Sequence, residues 1–384
     1  MRIAFINPII QTVDRPNRFW SLFGSKPNTP LATDSEVNCV QLALAMAAMG
    51  HDVSLFISDC YTPTQRIAPE NNLKICYLPT RAKFLFPPAY VPLLPSLLGE
   101  IKKQKFDCIQ TSELFQPSTL MCALAGPPVF VWEEMDQYFS RRLPRMAQKI
   151  YQQTVERVLR KKKVTVIPRS EASRQFLEKR GWKKTGPVIP TPVNTDLFKP
   201  EATPEEYLLV VSRLAKDRGL SFLIKVLLQV KATKPNVRLV VVGKGPEAER
   251  FQKEVKEKNL DASVETRTQF FSHQQMKQIY NGSAMTLITT VGGILPYTAL
   301  ESMACGKPVI SRFKRGLKTV IENDKTGYLV DSAEAMAEKI ILLLQNPQKR
   351  HQMGERARKF AVEHCGFQKI ANRFIEVYKG SKHV

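Results

Sequence analysis

Two arginines five residues apart, Arg213 and Arg218, follow the apolar run EYLLVV. They lie in Val211-Ser212-Arg213-Leu214-Ala215-Lys216-Asp217-Arg218-Gly219, three cations in six residues ahead of a glycine. Guanidinium forks bind phosphate oxygens in pairs, so this pattern at a strand end points to a phosphate-bearing ligand. A solvated turn with surface ion pairs uses the same residues. A second candidate is Val242-Gly243-Lys244-Gly245-Pro246-Glu247-Ala248, a G-x-G-x-x-A turn behind an apolar run. Standing alone, Gly243 and its neighbours are a weak dinucleotide signal, because no such turn follows the first strand of the chain.

The third candidate is Gly292-Gly293-Ile294-Leu295-Pro296-Tyr297-Thr298-Ala299-Leu300-Glu301. Thr289 and Thr290 end a strand, the glycines turn the chain, and a helix is predicted from about Tyr297 through Cys305. N–H groups freed by glycines at a helix start make an anion site. Glu301 lies one turn in. A carboxylate there repels phosphate, but it accepts hydrogen bonds from sugar hydroxyls. Close packing through Ala299, Ser302 and Ala304 is compatible with that site. Asp324-Lys325-Thr326-Gly327-Tyr328-Leu329-Val330 reads as a turn and a short strand. In the first half, Glu133 and Glu134 end the run PVFVWE and could share general-base work, or form a solvated acidic loop.

The elements that must carry these residues alternate. Short apolar runs (RIAFIN, DVSLFI, LKICYLP, FDCIQTS, PVFVWE and KVTVIP, then EYLLVVSRL, VRLVVVGKG, SAMTLITT, KPVISR and GYLV) are separated by helical patterns. In SFLIKVLLQVKA, Phe222, Leu223, Val226, Leu227 and Val230 share one face. Strands alternating with helices predict parallel sheets covered on both faces. The segment from Gly186 to Glu206 carries prolines 187, 190, 192, 200 and 204 and reads as a linker. The expected architecture is α/β, with two doubly wound Rossmann-like domains facing a cleft. The expected divisions are a first domain over 1–192, a second over 193–365, and a last helix over 366–384.

Composition narrows the partners. The chain has 384 residues, 43% hydrophobic and 24% charged, as in a globular protein of two domains. Its formal net charge is +22, spread over both halves, which favours anionic partners. Nucleic acid is one such partner, but no nucleic-acid-binding module is recognisable and no specific nucleic acid is expected. The seven cysteines show no metal or redox spacing and suit a reducing compartment. The opening MRIAFINPII is too briefly apolar for a secretory signal. Phe84 to Gly99 is apolar but holds four prolines, which would break a spanning helix. It reads as a loop or interrupted helix, with its apolar surface either exposed or buried under a neighbouring helix.

In order and spacing, SRLAKDRG, VVGKGP, LESMACGKPVIS and NDKTGYLV resemble the retaining glycosyltransferases of the GT-B fold, family 4. Gly50-His51-Asp52-Val53 and VIPTPVNTDLF extend the resemblance over nearly the whole chain. The resemblance implies that 1–192 is the acceptor side, that 193–365 binds the nucleotide sugar and that the helix over 366–384 returns to the first domain. It implies a nucleotide-sugar donor as substrate, a UDP- or GDP-sugar, and no obligatory cofactor. It implies that Arg213 and Arg218 hold the donor diphosphate and stabilise the charge that develops as the sugar leaves. Glu301 falls on the glutamate that binds the ribose. The backbone of Gly293, Ile294 and Leu295 falls on the loop over the diphosphate and sugar, and Phe270 lies where the base is clasped. The chain departs from the pattern at three places. Gly293 stands where the first glutamate of E-x7-E contacts the donor sugar. Thr33-Asp34 stands where many members have Gly-Gly. Val131-Trp132-Glu133-Glu134 replaces a stretch that often holds a histidine, which makes Glu134 or Glu133 the candidate to assist the attacking hydroxyl. No D-x-D triplet occurs, so no metal is expected. The alternative is a GT-B-like protein that binds a sugar nucleotide and transfers weakly or not at all.

The acceptor is expected to be a hydroxyl of a glycan or a lipid, including a lipid-linked or cell-envelope precursor. Arg141 to Lys163, RRLPRMAQKIYQQTVERVLRKKK, is basic and partly amphipathic. Met146, Ile150, Val155 and Leu159 are expected to face the core, with Arg145, Lys149, Arg157 and Lys161 to Lys163 outward. Such a face could meet an anionic membrane surface or simply water. The expected location is cytoplasmic, free or peripheral on the inner face of the plasma membrane.

Overall fold

The computed structural model describes residues 1–9, 37–61, 72–83, 91–138, 142–162, 164–183, 185–290, 296–312 and 314–380. The chain divides into two compact units, one of residues 1–190 with 367–384, the other of residues 191–366.

The first unit holds β1 (Arg2–Ile6), β2 (Asp52–Ser58), β3 (Leu73–Leu78), β4 (Cys108–Ser112), β5 (Val129–Glu133) and β6 (Val164–Pro168). They form one parallel sheet in the order β3-β2-β1-β4-β5-β6. Alternation sets its two cores: Ile3 and Phe5 of β1 enter one, Ala4 and Ile6 the other. The second unit repeats the plan with β7 (Tyr207–Val211), β8 (Leu239–Val242), β9 (Val264–Arg267), β10 (Ser283–Ile288), β11 (Val309–Ser311) and β12 (Gly327–Leu329). Their order is β12-β11-β10-β7-β8-β9, again parallel. In each sheet the order reverses beside the first strand, between β1 and β4 and between β7 and β10. Ligands of doubly wound sheets bind outside the carboxyl ends at that point.

Of the helices, α1 (Asn38–Ala48) and α12 (Phe367–Gly380) cover one face of the first sheet. Phe374 of α12 meets Trp132 edge-on at 5.1 Å, and the Tyr378 hydroxyl donates to Gln110. Helix α12 therefore belongs to the first unit. In the second unit α6 (Leu220–Thr233) buries Leu223, Val226, Leu227 and Val230, the face its periodicity predicts, while Phe222 is partly buried under Arg312.

One expectation is corrected. In α4 (Arg142–Arg160), Met146 and Ile150 do not face the core; they are 50% and 60% exposed. The inward stripe is instead partly polar. Gln148, Glu156 and Leu159 are buried, and Glu156 accepts from Arg180 and from the Trp182 ring N–H at 3.0 Å. Hydrophobic periodicity picks the wrong side when a helix buries a charged network. In the proline-rich run, Leu94 and Leu97 are buried; the latter opens α2 (Leu97–Lys103), while 84–90 lie outside the described residues. Among the described residues no helix is long and apolar enough to cross a membrane.

Candidate functional site

The carboxyl end of β7 is framed by turns packed closely on one another. After β7 the chain reaches Ser212 and Arg213, then a short 3-10 turn over Lys216–Arg218 that ends at Gly219. Gly219 has φ +68, and a Cβ there would stand 2.4 Å from the Thr289 carbonyl oxygen. Thr289 and Thr290, following β10, donate their hydroxyls to the carbonyls of Arg218 and Asp217 at 2.6 and 3.0 Å. On the other side Gly243, at φ +151, follows β8. A Cβ there would lie 2.0 Å from the Ser212 carbonyl oxygen. The Leu214 N–H donates to Lys244 at 2.8 Å, and the Glu247 N–H returns to Leu214 at 3.0 Å. The glycines of the G-x-G turn thus serve close loop packing beside β7.

Arg213 and Arg218 project from this frame. Each is about a third exposed, and among the described residues neither Nε makes a hydrogen bond although both atoms are enclosed; the Arg218 Nε has only Asp217 Oδ2 at ion-pair distance. Their ion-pair partner is Asp217, at 3.8 Å from Arg213 and 3.4 Å from Arg218, itself 60% exposed. Among the described residues one solvated carboxylate is shared by these two guanidinium groups, which leaves a net positive charge at this strand end. An enclosed donor without a partner costs free energy until a ligand satisfies it.

Glu301 lies on α9 (Tyr297–Ala304), in the turn predicted for it. Its position is set by a residue the sequence did not single out. Tyr280, fully buried in the last turn of α8 (His273–Asn281), donates its hydroxyl to Glu301 Oε2 at 2.7 Å. Burial pushes the Glu301 carboxyl up; the Tyr280 hydrogen bond and the His273 charge oppose it. Burial and the Glu301 charge push the Tyr280 phenol well up, so it stays a donor. Phe270 lies three residues beyond β9 and is 67% exposed. Gly292, Gly293, Ile294 and Leu295 lie outside the described residues.

The first unit gathers three carboxylates at the ends of β4 and β5. Glu113, at φ +61, turns back so that its Oε1 accepts the Glu134 N–H at 3.1 Å. Glu133 is fully buried and committed: its oxygens accept from the Leu114 N–H at 2.7 Å and from Arg180 at 3.3 Å. Glu134 differs. Its Oε2 accepts from Arg169 at 3.0 Å, while its Oε1 is enclosed and has no hydrogen-bond partner among the described residues. The Arg169 guanidinium is stacked 3.9 Å over the Trp132 ring. Burial raises all three carboxyl groups. Glu113 is raised furthest, with Glu133 and Glu134 repelling its charge and Arg169 opposing. Of the adjacent pair weighed in the sequence, Glu134 keeps a free oxygen and Glu133 does not. No sequence signal marked Glu113, Arg169 or Tyr280, since their partners arrive from distant segments. Among the described residues no three His, Cys, Asp or Glu side chains are grouped as a metal site.

The family model described as Glycosyl transferases group 1 matches residues 194–360, and that described as Glycosyltransferase Family 4 matches residues 35–197. The chain belongs to this glycosyltransferase family. It is similar to lipopolysaccharide 1,2-N-acetylglucosaminetransferase of Salmonella typhimurium, 30% identical over 188 residues, 45% of this chain and 48% of that protein. N-acetyl-alpha-D-glucosaminyl L-malate synthase of Bacillus anthracis is 29% identical over 177 residues, 45% of each chain. The glycosyltransferase-family chain spans about half the length of the curated relatives it matches. Its fold is GT-B. Sucrose-phosphate synthase of Thermosynechococcus elongatus superposes with a TM-score of 0.70 at 19% identity, covering 100% of this chain and 99% of that one. HepE of Anabaena, solved in complex with UDP, gives 0.70 at 15% identity, over 99% of this chain and 100% of that one.

Proposed function

We propose that this chain is a retaining glycosyltransferase that moves a sugar from a nucleotide-sugar donor to a hydroxyl of a glycan or lipid-linked acceptor. The observation that carries the reading is the pair Arg213 and Arg218, two guanidinium groups that share one solvated carboxylate at the switch point of the second sheet. In this reading both bind the diphosphate. As the bond from the anomeric carbon to the diphosphate oxygen breaks, negative charge grows on the leaving group and both cations stabilise it more strongly than in the ground state. The acceptor oxygen forms the new bond, and Glu134 Oε1 is proposed to take its proton. Glu301, oriented by Tyr280, accepts from the ribose hydroxyls. Gly292 to Leu295 would supply backbone N–H groups to the diphosphate and sugar, and Phe270 an apolar edge for the base.

A UDP-sugar is the favoured donor over a GDP-sugar, because structural neighbours were solved with UDP and with UDP-glucose. Two fixed cations supply the charge that a divalent ion would otherwise bring, which supports transfer without an obligatory metal. The seven cysteines are all free thiols, in keeping with a reducing, cytoplasmic setting. A second reading, a protein that binds a sugar nucleotide and transfers little, rests on Gly293, where the family has a carboxylate on the donor sugar.

A thermal-shift series over UDP-, GDP- and ADP-sugars tests donor binding, because a ligand specific to the folded state raises the melting temperature. A rise with UDP-sugars that is lost in Arg213→Ala is expected. No rise with any of them contradicts the proposal.

A further inference from the structure

The outward side of α4 is a continuous stripe at helical spacing: Arg145, Met146, Lys149, Ile150, Gln153, Thr154, Arg157, Val158 and, just past the helix, Lys161. All nine side chains are exposed, and Met146, Ile150 and Val158 are 50%, 60% and 43% exposed. Large aliphatic side chains open to solvent to this degree are rare among the described residues, and three of the eight exposed large hydrophobics lie on this one helix.

The charge on the stripe has one sign, for a structural reason. The sole carboxylate of α4 is Glu156, and it is fully buried, held by Arg180 and by the Trp182 ring N–H, with Arg160 at 3.7 Å. The helix turns its acid inward and leaves its cations outside. Lys162, beyond the helix, is exposed as well. A helix that only needed solubility would carry carboxylates among these lysines and arginines, and would not set Met146 and Ile150 one turn apart beside Arg145 and Lys149.

We propose that this face of α4 docks on an anionic lipid bilayer, with Met146, Ile150 and Val158 entering the interfacial region and Arg145, Lys149, Arg157 and Lys161 meeting lipid phosphates. Cations flanking aliphatic side chains on one helix face fit a surface that is charged at its headgroups and apolar just beneath them. A nucleic acid backbone offers the charge but nothing for Met146 and Ile150 to enter. The docking does not depend on the transfer chemistry: a chain that transferred no sugar would still bind through α4. If transfer also holds, docking brings the first unit to lipid-borne acceptors.

The test is flotation of the full chain with phosphatidylcholine vesicles and with vesicles that also contain phosphatidylglycerol. Wild type is expected to float with the second set and to stay behind with the first. Near such a surface each cation is worth about fivefold in partitioning, so Lys149→Gln with Arg157→Gln lowers binding by about 25-fold, as raised salt does progressively. Met146→Gln with Ile150→Gln leaves the charge untouched and is expected to lower binding by about tenfold. Both double variants are exposed and are expected to melt with wild type, which separates lost docking from lost fold. No flotation with either vesicle, equal flotation with both, or an apolar double variant that floats as wild type would each overturn the proposal. So would tighter binding to duplex DNA that the apolar substitutions leave unchanged.

Discussion

Tyr280→Phe isolates one hydrogen bond at the donor site. The ring is fully buried and packs edge-on against Phe198 at 5.9 Å, so phenylalanine keeps the packing and removes only the hydroxyl. The lost bond, 2.7 Å to Glu301 Oε2, ends on a carboxylate. Hydrogen bonds to charged groups are worth about 1.5–3 kcal/mol, and Glu301 is only partly buried, so the lower end applies. About 1.4 kcal/mol is tenfold in affinity, so UDP is expected to bind the variant about tenfold more weakly. The effect has a second signature. The Tyr280 bond holds the Glu301 carboxyl down against burial, and without it the carboxyl rises further. A neutral carboxyl is a poorer acceptor, so the variant should lose affinity at higher pH than wild type as the solution is acidified. Isothermal titration with UDP, 2′-deoxy-UDP and 3′-deoxy-UDP checks both points. Wild type should prefer the ribonucleotide and the variant should discriminate less. The reasoning is refuted by a variant that binds UDP as wild type does and keeps the same preference over the deoxy forms. If wild type binds no nucleotide, the donor reading fails rather than the role of Tyr280.

Gly243→Ala should cost several kcal/mol, because its Cβ would stand 2.0 Å from a carbonyl oxygen that is itself pinned; the melting temperature should fall by about 2–4 °C for each kcal/mol. Gly99→Ala, inside α2 with open space around the added methyl, should instead stabilise by about 0.5–1 kcal/mol, and the same melting measurement compares the two. Glu113→Gln reports on the carboxylate cluster through pH. A carboxyl raised in the folded state binds its proton more tightly there, so its contribution falls as pH rises from the ordinary value of 4.5 through the raised one. The variant should therefore gain stability relative to wild type as pH rises across that window, measured by denaturant titration; no pH-dependent difference would contradict the raised carboxyl.

Much of this architecture was legible in the sequence because its signals are local. Eleven of the twelve strands stand out as short apolar runs, since parallel strands covered on both faces leave little room for polar residues. The missed one, β9, reads Val264-Glu265-Thr266-Arg267; at a sheet edge it needs no continuous apolar run. Arg213, Arg218 and Glu301 were legible because strand-end and helix-start positions have recognisable neighbours. Tyr280 was not, for its role depends on α8 and α9 coming together 21 residues apart. Glu113 was hidden in a turn whose left-handed backbone no side-chain pattern announces. The face of α4 was misread for a definite reason: a buried Glu156 and Gln148 take the places where periodicity looks for aliphatic residues.

The central claim is that Arg213 and Arg218 stabilise a departing nucleoside diphosphate. Slow hydrolysis of UDP-sugars by the purified chain, followed as released UDP, tests it without knowledge of the acceptor. Wild type should release UDP in the presence of a chelator, and Arg213→Ala should be slower by about a hundredfold or more while its fold and melting temperature stay near those of wild type. Equal release by wild type and Arg213→Ala, or none from a wild-type chain that binds UDP, would contradict it.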